Sequence, residues 1–232
     1  MWRTVDGFLN VISAAKLGQL TNEPKQQSVP LAPDPADISE KTFTTPFAYG
    51  NIVPYFDGVI QTSGFTISRA TGLNGRDQLL FASAPGSVQV TASSPDGINV
   101  DVYEQAALGA QALIRGPVDA VLYDVPADDA DPTKIPQVLL TWFDGIVSYL
   151  LASDPRRPGL LRVYPELAQR YQDICGIGGD LSRVAAGKFS LRGILPAREL
   201  DQTGGDQVGD YFGDDPVFHG DVGGVGSNRG FA

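Results

Sequence analysis

Glycine and proline are distributed unevenly along this chain, and their distribution limits where a compact domain can form. The chain has 27 glycines and 17 prolines, and residues 21–46 alone contain five of the prolines. Each proline fixes its own φ and biases the preceding residue towards extended geometry. We therefore predict a proline-rich extended arm over 21–46, a core domain over 47–200, and a glycine- and aspartate-rich C-terminal arm over 201–232.

The first twenty residues have apolar side chains at helical spacing. These side chains are Val5, Phe8, Leu9, Ile12 and Ala15. The spacing predicts a short amphipathic helix of about three turns within residues 1–20. It leaves open whether this helix packs on its own domain or on a neighbour. Polar residues interrupt the N-terminal run, which makes a poor signal peptide, and no segment reaches the ~20 apolar residues of a membrane span. We expect synthesis in the cytoplasm and no membrane partner.

Residues 47–123 are predicted to be β-rich. Apolar residues alternate with polar ones at Val88, Val90 and Ala92, and again at Ile98, Val100 and Val102. The tetrapeptide "SPDG" lies between the two runs and is a strong turn signal. Such alternation is typical of antiparallel strands with one buried face. Residues 118–123 are a candidate for a further strand.

Residues 135–178 are predicted to form a helical hairpin. Its predicted core consists of Leu139, Trp142, Phe143, Ile146 and Leu150 in the first helix, and Leu160, Tyr164, Leu167, Tyr171 and Ile174 in the second. Asp154 and Pro155 should end the first helix, Pro165 should kink or restart the second, and Gly176 is placed to cap it. The predicted class is α+β: a small antiparallel β-sheet region followed by an antiparallel helical hairpin, with extended N- and C-terminal arms.

Residue types with catalytic chemistry are scarce. One cysteine, Cys175, and one histidine, His219, exclude an internal disulfide, Ser-His-Asp or Cys-His chemistry near the core, and a multi-histidine metal site. Cys175 is expected to be a buried, inert thiol. The acidic cluster at 124–131 could bind a divalent cation, but such a run is more typical of a solvated turn. We expect no enzymatic activity, cofactor or metal.

The C-terminal arm combines acidic charge with isolated apolar residues. The whole chain has a formal net charge of −10, and residues 201–232 contribute six aspartates against one arginine. This charge argues against a surface that grips nucleic acid, and it is compatible with one that lets DNA pass. The apolar residues that we assign to a partner surface are Tyr211, Phe212, Val217, Phe218 and Phe231. Alone, such a string cannot offset the entropy of ordering, so we expect it to bind a partner that offers pockets for single aromatic side chains.

The segment "IPQVLLTWFDGIVSYLLASDPRRPGLLRVYPELAQRYQDICGIG" resembles the helical hairpin of head-to-tail adaptor (connector) proteins of tailed bacteriophages. The similarity lies in the placing of Trp142, Tyr149 and Leu150 in the first helix, and of Leu167 and Tyr171 in the second. It implies a structural virion protein of the neck, in a ring of about a dozen copies beneath the portal. Such a ring would link head to tail and line the DNA channel without specific DNA binding. Its terminal arms would contact neighbouring copies, the portal or tail proteins.

The long strand-rich region before the hairpin departs from that family, so three alternatives stay open. The chain could be another phage structural protein, of the tail or the coat. It could be a β-rich ligand- or carbohydrate-binding module, if Tyr55, Phe56 and Tyr103 are exposed near the turns. It could also be an enzyme that uses acidic residues such as Asp128 and Asp129.

Overall fold

Two groups of elements make up the chain, one of short strands and one of helices. The computed structural model describes residues 2–22, 28–69, 75–120 and 135–191. In those residues the helices are Val5–Phe8 (α1), Ala14–Thr21 (α2), Val100–Ala120 (α3), Gln137–Ser153 (α4), Leu160–Val163 (α5), Pro165–Cys175 (α6) and Asp180–Ala185 (α7). The strands are Val29–Pro30 (β1), Thr42–Thr44 (β2), Phe47–Ala48 (β3), Val53–Phe56 (β4), Val59–Ile60 (β5), Phe65–Ser68 (β6), Gln78–Phe81 (β7), Val90–Ser93 (β8) and Ile98–Asn99 (β9). The predicted α+β class is confirmed.

The strands enclose the smaller of two apolar cores. Among the described residues the strand orders are β1-β8-β4-β5, β2-β7-β6 and β3-β9, and every pairing is antiparallel. Successive side chains of a strand point to opposite faces, so Leu79 and Phe81 of β7 are buried while Leu80 between them is exposed. The buried members of this core are Phe43, Phe47, Ile52, Leu79, Phe81, Val90 and Ala92. One face of β7 is therefore open to solvent.

The larger core is built around α4. Leu139, Phe143 and Ile146 of this helix are fully buried, and Asp144, Gly145 and Ser148 on its other sides are buried as well. A helix that is apolar on most of its circumference must be covered on several sides. Helices α2, α3, α5 and α6 all contact α4. The hairpin therefore forms the centre of the larger core.

The connection between the hairpin helices follows the sequence prediction. Helix α4 ends at Ser153 with Asp154 as its C-cap, and the next long helix, α6, has Pro165 in its first turn. Proline suits that position because its missing N–H has no helical partner there. The Gly176 N–H donates to the Gln172 carbonyl oxygen at 2.8 Å and closes the helix. The predicted helix ending at Asp154, the restart at Pro165 and the cap at Gly176 are confirmed.

The N-terminal residues form two short helices, so the prediction of one three-turn helix within 1–20 is wrong. The side chain of Thr4 accepts a hydrogen bond from the Gly7 N–H, and that of Ser13 accepts one from the Lys16 N–H. Each is an N-cap, so the chain starts a new helix at α2 instead of continuing α1. The apolar residues of the segment are thus divided between two helices.

These N-terminal helices pack on their own domain. Trp2 is fully buried and its ring centroid lies 5.9 Å from that of Phe143 on α4. At the other end of the segment, Arg157 is almost fully buried and donates to the carbonyl oxygen of Thr21 at 3.2 Å. Arg157 also donates to Asp154 at 2.8 Å, which closes the turn after α4. Residues 2–22 are therefore an integral part of the helical core.

A buried ion pair joins the same segment to the centre of α4. Arg3 Nε lies 2.9 Å from Asp144 Oδ1, and Arg3 Nη2 donates to Asp144 Oδ2 at 3.3 Å. Burial raises the pKa of Asp144, and the Arg3 guanidinium opposes that rise. The hydroxyl of Tyr103, a fully buried residue, donates to the Arg3 carbonyl oxygen at 3.0 Å. Arg3 is thus held through both its side chain and its backbone.

The prediction of an extended arm over 21–46 is wrong for the described residues of that range. The predicted domain boundary at residue 47 is wrong as well. Strand β1 pairs with β8 and strand β2 pairs with β7. Pro30 is tolerated because β1 is an edge strand, where a missing N–H breaks no ladder. Between the two strands Asp37 accepts the backbone N–H groups of Ser39, Lys41 and Thr42. The prolines therefore border strands and turns of the folded domain.

The β-rich region predicted over 47–123 ends early, because a long helix begins at Val100. The predicted strand through Val100 and Val102 is wrong, and Val118 lies in α3 instead of a further strand; residues 121–123 lie outside the described residues. The buried positions from 103 onwards repeat at helical spacing: Tyr103, Ala107, Ala110, Ile114 and Val118. Alternation over the five residues 98–102 was too short to distinguish a strand end from a helix start.

Replacing Gly50 with alanine is expected to lower the free energy of unfolding by roughly 1–3 kcal/mol, because a Cβ there overpacks a closed junction. That atom would collide with the Cα of Gly97 and the Oγ of Ser94. Urea unfolding followed by circular dichroism measures the loss. Gly7→Ala is the control, since its Cβ would make only ordinary contacts at 3.7 Å. Equal stabilities of the two variants would contradict the close approach of Gly50 and Gly97.

Candidate assembly surface

The described residues do not assemble a metal-binding cluster. Within them, no group of three or more histidine, cysteine, aspartate and glutamate side chains could hold a metal ion. The acidic residues Asp124, Asp128, Asp129 and Asp131, together with His219, lie outside the described residues. Cys175 is half-buried, and burial raises the pKa of its thiol. A raised pKa lowers the thiolate fraction, and the thiolate is the reactive form.

No helix in the described part of the chain has the length and apolar character that crossing a membrane requires.

The ten predicted hairpin-core residues lie in the larger core or against it. Buried members are Leu139, Trp142, Phe143, Ile146, Leu167 and Ile174; partly buried members are Leu150, Leu160, Tyr164 and Tyr171. The ring of Tyr171 also stacks on Tyr149 at 3.9 Å between centroids. These residues are occupied inside the domain, so they leave little apolar surface for a partner.

The five residues assigned to a partner surface lie outside the described residues. They are Tyr211, Phe212, Val217, Phe218 and Phe231. Their binding role stays a prediction from the sequence.

The aromatic residues suggested for a ligand-binding module are not exposed as that alternative requires. Tyr103 is fully buried, and burial raises its pKa. Phe56 packs on Phe81 with 5.0 Å between ring centroids. The hydroxyl of Tyr55 lies 3.2 Å from the Oγ of Ser93 on the neighbouring strand. The three side chains therefore do not form an aromatic platform for sugar rings.

A different apolar region is exposed, at the hairpin of β4 and β5. Asp57 and Gly58 both have positive φ, 47° and 82°, as a two-residue type I′ turn requires. The Asp57 carboxylate accepts the Gln89 N–H at 2.8 Å and fixes the turn against the sheet. Beyond the turn Val59 is 64% exposed and Ile60 is 53% exposed. The hairpin thus holds two aliphatic side chains in solvent.

An open cavity lies on the neighbouring strands β6 and β7 of a different sheet. It has a volume of about 360 Å³ and is lined by Gly64, Phe65, Thr66, Leu80, Phe81 and Ala82. Leu80 is 46% exposed at its rim. On the inner face of the same strand, the ring of Phe81 contacts Phe56 of β4 and lies 6.2 Å from that of Phe65. The two exposed regions, Val59 and Ile60 on one sheet and Leu80 with the cavity on the other, are together called the apolar sheet surface below.

The hairpin of β4 and β5 and strand β6 lie in a stretch of unusually low charge. Between Lys41 and Arg69 the only charged residue is Asp57, which is engaged in the hairpin turn. Strand β5 is at the edge of its sheet. Edge strands of monomeric proteins are commonly protected by lysine, proline or inward-pointing charge. This edge has none of these within β5, so the surface has the properties of an interface.

Sequence reasoning missed this surface. The turn "DG" at 57–58 between apolar residues was a strong hairpin signal, and the run without charge around it was visible as well. Neither signal says which face of the hairpin is covered. That information comes from the packing of Phe56 and Phe81 on the inner side.

Comparison with known proteins identifies no relative. No family model matches the chain, and neither a curated protein nor a solved structure shows significant similarity to it. The similarity to phage adaptors therefore depends on the apolar spacing of the helical hairpin.

Proposed function

We propose that this chain is a structural subunit of a tailed-phage virion, and specifically a neck adaptor that forms a ring beneath the portal. The observation that supports it best is the apolar sheet surface, where Val59 and Ile60 are exposed on the edge strand β5 and Leu80 is exposed on the open face of β7. Apolar surface of this kind is stabilised when a neighbouring subunit covers it. The function is therefore assembly, with no chemical reaction.

Two further observations fit the neck position. The net charge of −10 disfavours retention of DNA, as a channel that DNA must traverse requires. The hairpin resembles that of adaptor proteins, and in this chain it forms the centre of the larger core. A tight hairpin core gives each subunit a rigid body from which the C-terminal arm can reach a neighbour, the portal or a tail protein.

The copy number of the chain in native particles tests this proposal. Particles that sediment at megadalton size would be isolated, and the chain would be quantified by mass spectrometry against isotope-labelled peptides. We expect a fixed number near a dozen per particle. Hundreds of copies would instead indicate a coat or tube protein, and absence from all large particles would overturn the virion proposal.

Deleting residues 201–232 is expected to leave the domain folded and to block its assembly into particles. Within the part of the chain that the structure describes, the residues of both cores lie before this deletion. We expect the free energy of unfolding to change by less than ~0.5 kcal/mol, as for surface changes, while the truncated chain disappears from purified particles. Normal incorporation of the truncated chain would contradict the role assigned to the arm.

A small-ligand-binding module is the second candidate, because the cavity of about 360 Å³ falls in the size range of ligand sites. A glycan array and a small-molecule thermal-shift screen test it. Saturable binding that is lost on Leu80→Asp would favour this candidate. Its weakness is the lining, in which Thr66 supplies the only polar side chain.

A further inference from the structure

We propose that the free chain forms a two-fold dimer in which the solvent-facing side of α3 packs antiparallel on the same side of a second copy. This side, called the α3 outer face below, consists of the exposed residues Gln105, Leu108, Ala112, Leu113 and Gly116, with the half-buried Gly109 between them. The proposal goes beyond the assembly function above. A two-fold contact uses the same patch on both copies, so it does not repeat around a cyclic ring. It therefore describes the subunit before a ring forms.

The α3 outer face is uncharged and mostly apolar although it is open to solvent. Leu108 is 54% exposed and Leu113 is 40% exposed. No charged residue occurs between Glu104 and Arg115. A helix at the surface of a domain usually has charged and polar residues on its solvent side, opposite its apolar side. The inner side of α3 is buried in the larger core, so this helix has two apolar sides and its own domain covers one of them.

The shape of the α3 outer face suits another helix. Helical spacing places Gly109, Ala112 and Gly116 in a central row. Leu108 lies on one side of this row and Leu113 on the other. A Cβ at Gly116 would meet nothing within 4 Å, so the row is open in a single copy. Since the distance between two packed helices depends on the side chains at the contact, a row of small residues allows a close approach.

A second copy of α3 has the shape that covers this face. When two antiparallel helices cross at residues 110–111, Leu108 of one copy is level with Leu113 of the other. The two leucines at each level then lie on opposite sides of the contact line and close it from both sides. Between them, Gly109 of one copy meets Ala112 of the other. The face is therefore complementary to itself.

Charge favours the antiparallel orientation over the parallel one. The charged side chains that the structure describes on α3 are Asp101 and Glu104 near its start and Arg115 near its end. The two acids share the guanidinium of Arg76, at 2.6 and 2.8 Å, which leaves their end with a net negative charge. Positions 104, 108 and 115 share one side of the helix, because they are four and seven residues apart. An antiparallel pair therefore places Glu104 of one copy about 3 Å along the axis from Arg115 of the other, and it also opposes the two helix dipoles.

Sedimentation equilibrium of the full-length chain tests the pairing. We expect a reversible equilibrium of monomer and dimer with a micromolar dissociation constant, because a contact of one helix from each copy is small. Leu108→Asp should raise this constant at least tenfold, since the dimer would bury the new charge. Ile60→Asp is the matched control: Ile60 is 53% exposed on β5, and its replacement should leave the constant unchanged. Circular dichroism confirms that both variants are folded.

A chain that is monomeric at every concentration, or that forms only larger rings, would overturn the inference. A dimer that Leu108→Asp leaves intact, or that Ile60→Asp dissociates, would overturn it as well, because the contact would then lie elsewhere. The particle count tests the assembly function separately. A chain present at about a dozen copies per particle but monomeric in solution rejects the α3 dimer alone, and a dimeric chain that is absent from all large particles rejects the assembly function alone.

Disulfide crosslinking tests the orientation without adding a charge. Cys175, the one native cysteine, is first replaced by serine. Ala112→Cys should then form a disulfide between copies under mild oxidation, because the two copies of position 112 lie ~4.5 Å apart along the axis of the antiparallel pair. Gln105→Cys should not, since its two copies would lie on the order of 17 Å apart. A parallel pair would crosslink at both positions, so a crosslink at 105, or none at 112, would overturn the proposed dimer.

Discussion

Replacing Trp2 with alanine is expected to lower the free energy of unfolding by about 3–5 kcal/mol, the usual range for losing a fully buried aromatic side chain. Trp2 has no exposed surface and packs on Phe143, the centre of the larger core. The cavity left behind is lined by α4 and cannot collapse without moving that helix. Urea unfolding monitored by circular dichroism gives the loss directly.

A change of the same kind at Val11 serves as the control, because Val11 belongs to the same segment but is 39% exposed. Val11→Ala should change stability by less than ~0.5–1 kcal/mol. The loss for Trp2→Ala should also be independent of protein concentration. A loss that grows on dilution would mean that the N-terminal segment packs on a neighbouring copy, contrary to its position in this fold.

Replacing Arg3 with methionine is expected to cost about 3 kcal/mol at neutral pH, since it leaves the carboxylate of Asp144 buried without its partner. Asp144 is 4% exposed. Methionine keeps much of the aliphatic contact of the arginine, so the change tests charge more than packing. Arg156→Met is the matched control: Arg156 is 53% exposed in its pair with Asp154, and losing it should cost less than ~1 kcal/mol.

The loss of stability caused by Arg3→Met should depend on pH in a definite direction. Burial raises the pKa of Asp144 above its unfolded value, so the folded state binds the proton more tightly. Stability from this group is therefore lost as the pH rises from the unfolded pKa through the folded one. Removing Arg3, which opposes the rise, moves the folded pKa further up. We expect the variant to be less destabilised at pH 5 than at pH 8; equal losses at both pH values would contradict this account.

The helical hairpin could be predicted from the sequence because its signals are local. Apolar spacing, Pro165 and Gly176 specify helix faces and ends within a few residues. The predictions for the N-terminal segment and for α3 were wrong because two local signals competed in each. Ser13 caps a second helix inside what reads as one apolar stripe, and the alternation at Ile98–Asn99 continues for only a few residues into α3. Capping hydrogen bonds and long-range packing determine the structure of both segments.

The prediction of an extended arm over the proline-rich segment was wrong for a different reason. Prolines 30, 33 and 35 are typical of an arm, but the pairing of β1 with β8 joins residues about sixty positions apart. No local pattern reports such a pairing. The same holds for the apolar sheet surface, whose exposure depends on which side of β7 meets the core. Sequence patterns can name the residues of such a surface, but only the fold says which of them face solvent.

The contacts of the N-terminal segment also set an order of events during synthesis. Arg3 and its partner Asp144 are 141 positions apart, and Lys16 and Glu166 are 150 apart. At typical translation rates the ribosome needs roughly 7–28 s to go from the first partner to the second. Trp2 cannot pack on Phe143 before that interval has passed, which makes it a natural chaperone target. Residues that are synthesised before the rest of this domain are thus among the last to reach their native places, and completion of the domain waits for the hairpin.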